Sequence, residues 1–334
     1  MDRKSIQANL TLCYTLRAQN LTIFGTGESM KKDFIAITDY TTSELQGMLD
    51  LAVDLKKEWM SGGNQPILKN KVMSMIFQKP SLRTRVSFDM AMRHLGGDAL
   101  YLSPSEIGLG KRESIADVAR VISGYVDIIM ARVFDHEHVV ELAKWADIPV
   151  INGLSDYNHP CQAMADALTI IEAFGSLKGL NVTFIGDGNN VAVSLMNICV
   201  KLGANFTLSS PEGYDMLPSA IKIGEEIANE TGSTVKFNRD PHEAVKNANV
   251  IYTDTWTSMG QEEEAKKREA VFPPYQVNEK LVGEAEKDVI ILHCLPAHRG
   301  QEITDPVADG PHSRLFPQAH NRLHAQKAVI VNLL

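Results

Sequence analysis

The chain has 334 residues, 44% of them hydrophobic and 22% charged, a size and balance that fit two domains with substantial cores. Its net charge of -8 leaves no basic surplus to neutralise an extended run of phosphates, which argues against a nucleic-acid partner. No apolar run approaches the roughly 20 residues that a bilayer-spanning helix needs, so no membrane partner is expected, while a small anionic ligand, which requires only a few converging donors, stays open.

The four cysteines, Cys13, Cys161, Cys199 and Cys294, show no paired spacing and no signal-peptide pattern, so reduced thiols in a cytoplasmic setting are expected. Residues 1–29 carry scattered polar residues, one short apolar patch and no clear period, and Met30 looks like a natural start. Residues 1–33 are therefore expected to be a poorly ordered extension.

From Phe34 onward short apolar runs alternate with helical patterns, the rhythm of a parallel sheet. Residues 72–77 read as a buried strand. A helix follows, with Phe88, Ala91, Met92 and Leu95 on one face, and Gly96-Gly97 ends it. Strands are expected at 99–102 and 127–131 with a helix near 114–124 between them, and residues 149–152 close a first domain, 34–150. A helix over 160–174 ends at Gly175. Strands at 181–185, 206–208, 234–237, 250–253 and 289–292 build a second domain, 151–317, and a helix from about Gln318 into Ala328, within 318–334, returns to the first. The expected fold is α/β, with two doubly wound parallel-sheet domains and the active site in the cleft between them, where strand ends converge.

Ser81-Leu82-Arg83-Thr84-Arg85 stands at a strand-to-helix junction, where two hydroxyls, two guanidiniums and the free amides of a helix end would hold a phosphate; a simple N-cap with surface arginines fits the same residues. His159 and Gln162 lie three apart across a helix start and can face one ligand, although a histidine before proline is more commonly a cap or a core residue. Gly186-Asp187-Gly188-Asn189-Asn190 follows a strand and opens a helix, but it lacks the third glycine and the acidic ribose partner of a dinucleotide site. His293, Cys294 and His298 could suggest zinc, yet a fourth ligand is missing and Pro296 interrupts the set, so neither metal nor organic cofactor is expected. His136 and His138, beside Asp135 and Glu137, read as a solvated helix start.

Ser81–Arg85 resembles the Ser-x-Arg-Thr-Arg signature of the aspartate and ornithine carbamoyltransferase family, with Leu82 at a position that is usually Thr. The resemblance continues through His159-Pro160-Cys161-Gln162, Asp254-Thr255-Trp256-Thr257-Ser258-Met259-Gly260, His293-Cys294-Leu295-Pro296 and Asn321-Arg322-Leu323-His324, in the family's order, from about Met30 to Leu334. It implies a first domain binding carbamoyl phosphate, a second binding the amino-acid acceptor, and a homotrimer. Ser81, Leu82, Arg83, Thr84, Arg132, His159, Gln162, Cys294, Leu295 and Arg322 would hold carbamoyl phosphate, with His159 and Arg132 on the carbonyl oxygen and Gln162 on the amide nitrogen. The Ser-Met-Gly loop implies L-ornithine as acceptor, held by Asn190, Asp254, Ser258 and Met259, with Cys294 near its side-chain nitrogen. Cys294, Arg132 and His159 are the implied catalytic residues. Glu106 stands where family members often have a polar residue on carbamoyl phosphate; a carboxylate would repel phosphate unless Lys111 or Arg112 pairs with it, so it is left out of the site.

Residues 261–269 fit either a mobile flap or a solvated helix. Other acceptors (N-acetylornithine, putrescine or aspartate), a nicotinamide-dependent dehydrogenase and a non-catalytic relative are the competing readings. No catalytic residue is missing to favour the last.

Overall fold

The computed structural model describes residues 32–110, 112–257 and 262–334. The expected extension lies outside these apart from its end, where Asp33 Oδ1 accepts the Val150 amide at 2.8 Å and Phe34 is fully buried against Ile151. Asp33 thus takes part in the fold by capping a strand edge.

Four parallel strands form the first sheet: β1 (Val72–Phe77), β2 (Asp98–Leu102), β3 (Ile128–Arg132) and β4 (Val150–Leu154), in the order β2-β1-β3-β4. The boundary expected at residue 150 falls inside β4, which pairs with β3 and so belongs to the first sheet. Side chains alternate between the faces. Met73, Met75 and Phe77 of β1 and Ile128 and Met130 of β3 join one core, while Ile76, Ile129 and Ala131 join another. Helix Leu82–His94 covers the first face through Phe88, Ala91 and Met92, the residues its period marks, and ends where Gly96 takes φ +84°. Helices Ile115–Ser123 and His136–Trp145 pack together on the second face.

The second sheet holds β5 (Asn181–Ile185), β6 (Asn205–Ser209), β7 (Val235–Phe237), β8 (Val250–Thr253) and β9 (Ile290–His293), all parallel, in the order β7-β6-β5-β8-β9. Helix Pro160–Phe174 joins the two sheets. It is buried continuously from Pro160 to Ile170, as befits a helix that is apolar nearly all round. Helix Leu315–Leu333, longer than the expected 318–328, packs on it and on helices Thr42–Met60 and Leu82–His94. One core therefore runs from Phe34 through both sheets to Ile330. Among the described residues no helix is long and apolar enough to cross a membrane.

Candidate active site

Each sheet reverses its winding once, between β1 and β3 and between β5 and β8. Loops at such switch points diverge and leave a crevice at the strands' carboxyl ends. Both crevices open into one cleft of about 310 Å³. Ser81, Leu82, Arg83, Thr84, Arg132, His159 and Arg322 line one part of it, and Asn190, Asp254, Cys294 and Leu295 another. The structure thus brings together every expected site residue it describes except Gln162; Ser258 and Met259 lie outside the described residues.

At the β1 end Ser81 caps helix Leu82–His94, its Oγ accepting the Thr84 amide at 3.3 Å. The amides of Leu82 and Arg83 remain as donors at the positive end of the helix dipole. Leu82 itself points outward, 74% exposed, so its backbone is what it offers the site. Arg132, the last residue of β3, is 5% exposed; Arg322 reaches in from helix Leu315–Leu333 and is 3% exposed. Both donate to Thr84 Oγ1 at a long 3.4 Å. Among the described residues neither forms an ion pair. Burial, then the charges of Arg322 and Arg83, push the Arg132 guanidinium down to about 10. Burial also lowers Arg322. His159, just before Pro160, is held by its amide on Ser194 Oγ at 2.7 Å, and its Nδ1 is buried without a partner. Burial, then the arginines Arg322, Arg132 and Arg83, keep its imidazole well below the ordinary range and hence neutral. Buried guanidiniums lacking a counter-ion, beside a helix amino end, form a charge that a phosphorylated ligand would complete.

At the other end Asp254, directly after β8, accepts the Cys294 thiol at 3.0 Å and the Thr255 amide at 2.8 Å on Oδ1, and Asn189 Nδ2 at 2.8 Å on Oδ2. Burial of the sulfur, then the Asp254 charge and hydrogen bond, raise the Cys294 thiol well above its ordinary range. It rests as a thiol, and the neighbouring carboxylate is the acceptor. The Leu295 loop is turned by φ +57° and a cis bond to Pro296, with the Leu295 amide donating to His293 Nδ1 at 2.9 Å. Asn190 donates to the Ser155 carbonyl at 2.7 Å.

Gln162 sits one step deeper than expected. Its Oε1 accepts from Arg322 Nη1 at 2.8 Å and its Nε2 donates to Asp166 at 2.8 Å, because three residues into a helix carry the side chain behind the arginine. Sequence reasoning also missed Asn189, which caps helix Asn190–Lys201 and holds Asp254. The adjacent asparagines were its only signal.

In the Gly186–Asn190 turn a Cβ on Gly188 would lie 2.3 Å from the Met216 amide nitrogen, so that backbone packs directly on the glycine. Ligand atoms of Asp254, His293 and Cys294 come within 4.8 Å of one another. Both His293 nitrogens are already engaged, with the Leu295 amide and with Glu302 at 2.9 Å, which leaves no lone pair for a metal. Residues 265–271 form a helix whose Arg268, 5% exposed, donates to Asp187 at 2.6 Å and to the Trp256 carbonyl at 2.8 Å, so one face of the supposed flap is anchored. Glu106 accepts the Ser103 amide at 2.7 Å and Arg112 donates to the Glu106 carbonyl, while Lys111 is outside the described residues. His136 and His138 are half-buried rather than solvated, bonded to Ser155 and Gln78.

Comparison with known proteins agrees with this geometry. Residues 32–172 match the model of the aspartate/ornithine carbamoyltransferase carbamoyl-P binding domain, and residues 178–333 that of the Asp/Orn binding domain. The chain is 53% identical over 303 residues to an ornithine carbamoyltransferase of Anoxybacillus flavithermus, covering 91% of this chain and 96% of the relative. It is 53% identical to an anabolic ornithine carbamoyltransferase of Pyrococcus furiosus over 90% of this chain and 95% of the relative. A solved ornithine carbamoyltransferase structure from Pyrococcus furiosus superposes with a TM-score of 0.88 at 53% identity, covering 90% of this chain and 96% of that one. The ornithine transcarbamoylase of Giardia lamblia, 33% identical, superposes at 0.83 over 92% and 98%.

Proposed function

From the premise that the chain belongs to the aspartate/ornithine carbamoyltransferase family, we infer that its cleft transfers the carbamoyl group of carbamoyl phosphate to the δ-amine of L-ornithine, giving L-citrulline and phosphate in arginine metabolism. The observation that carries this reading is the pairing of two unlike ends. Buried guanidiniums without a described ion-pair partner, beside a helix start, face a carboxylate–thiol pair across one cleft.

Phosphate is a good leaving group, so the protein has to hold two substrates in line and stabilise charge rather than form a covalent intermediate. In this reading Ser81, Arg83, Thr84 and the Leu82 amide hold the phosphate. Thr84, Arg132 and neutral His159 donate to the carbonyl oxygen as it becomes an oxyanion. Arg322, backed by Gln162, completes the carbamoyl-phosphate site, and the Leu295 carbonyl accepts from the carbamoyl amide. Asn190, Asp254, Ser258 and Met259 receive the ornithine end groups. An alkyl amine with a pKa near ~10.4 arrives protonated at neutral pH and must lose a proton before attack. The Cys294–Asp254 pair stands where that proton can be received.

The protein is further proposed to be cytoplasmic and to work as a homotrimer. Support for assembly comes from a face beside Arg83 where Trp59, Met60, Leu82, Val86 and Met90 are all partly exposed.

Citrulline formation from carbamoyl phosphate and each amine in turn, with and without a chelator, tests the reaction. Turnover with ornithine that survives the chelator is expected. Turnover only with N-acetylornithine, putrescine or aspartate would overturn the acceptor assignment, and none with any amine the reaction itself.

A further inference from the structure

Behind the cleft lies a buried polar relay centred on Asp166, which does not line the cleft itself. Asp166, fully buried on helix Pro160–Phe174, accepts two hydrogen bonds on Oδ1, from Gln162 Nε2 at 2.8 Å and from Gln318 Nε2 at 2.6 Å. Gln162 Oε1 then accepts from Arg322 Nη1 at 2.8 Å, and Gln318 Oε1 from the His293 amide at 2.8 Å. His293 immediately precedes Cys294 and Leu295. One buried carboxyl is thus two hydrogen bonds from the arginine at the anion end and two from the loop that carries the thiol.

An amide side chain has one donor end and one acceptor end, whereas a carboxyl oxygen bearing no proton only accepts, and Asp166 Oδ1 keeps that role even when Oδ2 carries a proton. With Asp166 between them, both glutamines must turn their nitrogens inward and their oxygens outward. Either flip would set oxygen against oxygen in a buried site, where an unmade hydrogen bond costs most. We propose that Asp166 is a positioning residue for the transfer reaction, fixing the polarity of Gln162 and Gln318 so that Arg322 and the Cys294–Leu295 loop are held in register from opposite sides of the cleft. This rests on the carbamoyltransferase reading above. Asp166 Oδ2 is buried without a partner, and the Tyr252 hydroxyl, which accepts from Gln318 Nε2 at 3.1 Å, closes the other side of the cluster.

The test is a double-mutant cycle on citrulline formation. Asp166→Leu, close in volume but without an acceptor, is expected to lower kcat/KM for carbamoyl phosphate roughly 100-fold with a raised KM. Asp166→Asn, whose amide oxygen can still take both donors, is expected to stay within about 5-fold of the native chain. In a Gln162→Leu background the Asp166→Leu penalty should shrink to a few-fold, since its route to Arg322 is already cut. Penalties that multiply in full, or an Asp166→Leu variant as active as the native chain, would overturn the role and leave the function standing. If the native chain makes no citrulline, the function falls and this role with it. Should Asp166→Leu fail to fold, Gln318→Met carries the test: a loss of tenfold or more supports the relay, and native-like turnover overturns it.

Discussion

The Cys294 thiol donates to Asp254 Oδ1 across 3.0 Å, joining the ends of β9 and β8 into one polar unit. Asn189 grips the other oxygen of the same carboxylate from the start of helix Asn190–Lys201. Three loops of the second sheet therefore converge on a single carboxyl group, and burial of the sulfur, then the charge and hydrogen bond of Asp254, keep the thiol protonated.

Asp254→Ala is expected to raise the KM for ornithine about 100-fold and that for carbamoyl phosphate by no more than about 3-fold, read from citrulline kinetics with each substrate varied. The same substitution removes a charge and a hydrogen bond that hold the Cys294 thiol up, so its alkylation by iodoacetamide at pH 8 should quicken. Equal effects on both substrates would contradict the division of the cleft.

Arg132→Ala should lower kcat by about 10² to 10⁴ while far-UV circular dichroism stays native, because in the proposed reaction its guanidinium donates to the oxyanion, and it supports no described ion pair. Near-normal turnover would remove Arg132 from the mechanism.

Much of this was legible in the chain itself. Helix Pro160–Phe174 and strands Asn181–Ile185 and Val250–Thr253 match their expected bounds because apolar runs meet glycine, proline or polar residues at both ends. Strands β3 and β9 run one residue further than expected, to Arg132 and His293, since backbone pairing continues after the apolar pattern stops. Most assigned site residues came from resemblance, not periodicity. What stayed hidden are polar partners distant in sequence: Asn189 with Asp254 over 65 positions, Arg268 with Asp187 over 81, Gln318 with Asp166 over 152. No local pattern encodes such pairs, because each side chain reads equally well as solvated until the fold brings its partner.

Asp166 also predicts a pH signature. Burial pushes its carboxyl from 3.8 up to about 7, against the lowering by Gln162 and Gln318. Raised in the folded state, this group contributes stability that is fully present below pH 3.8 and is lost as pH rises through about 7. Relative to Asp166→Asn, which does not titrate, the native chain should lose at least about 2 °C of Tm between pH 5 and pH 8. A constant difference across that window would show that Asp166 titrates no differently when folded.

Val86→Glu probes assembly. Val86 is 49% exposed on the outer face of helix Leu82–His94, so a charge there leaves the monomer fold intact and buries an unpaired carboxylate only where subunits meet. Light scattering should report monomers for the variant and a threefold larger particle for the native chain; identical masses would separate this face from assembly.

Helix Leu315–Leu333 supplies Ala325, Ala328, Val329 and Ile330 to the core that Met73, Phe77 and Phe88 begin more than two hundred residues earlier. During synthesis, then, the amino-terminal lobe waits with an open seam while the whole second sheet is made, and its anion pocket lacks Arg322 throughout. One helix thus completes both the core and the anion pocket, so docking of that helix and assembly of the pocket are a single event.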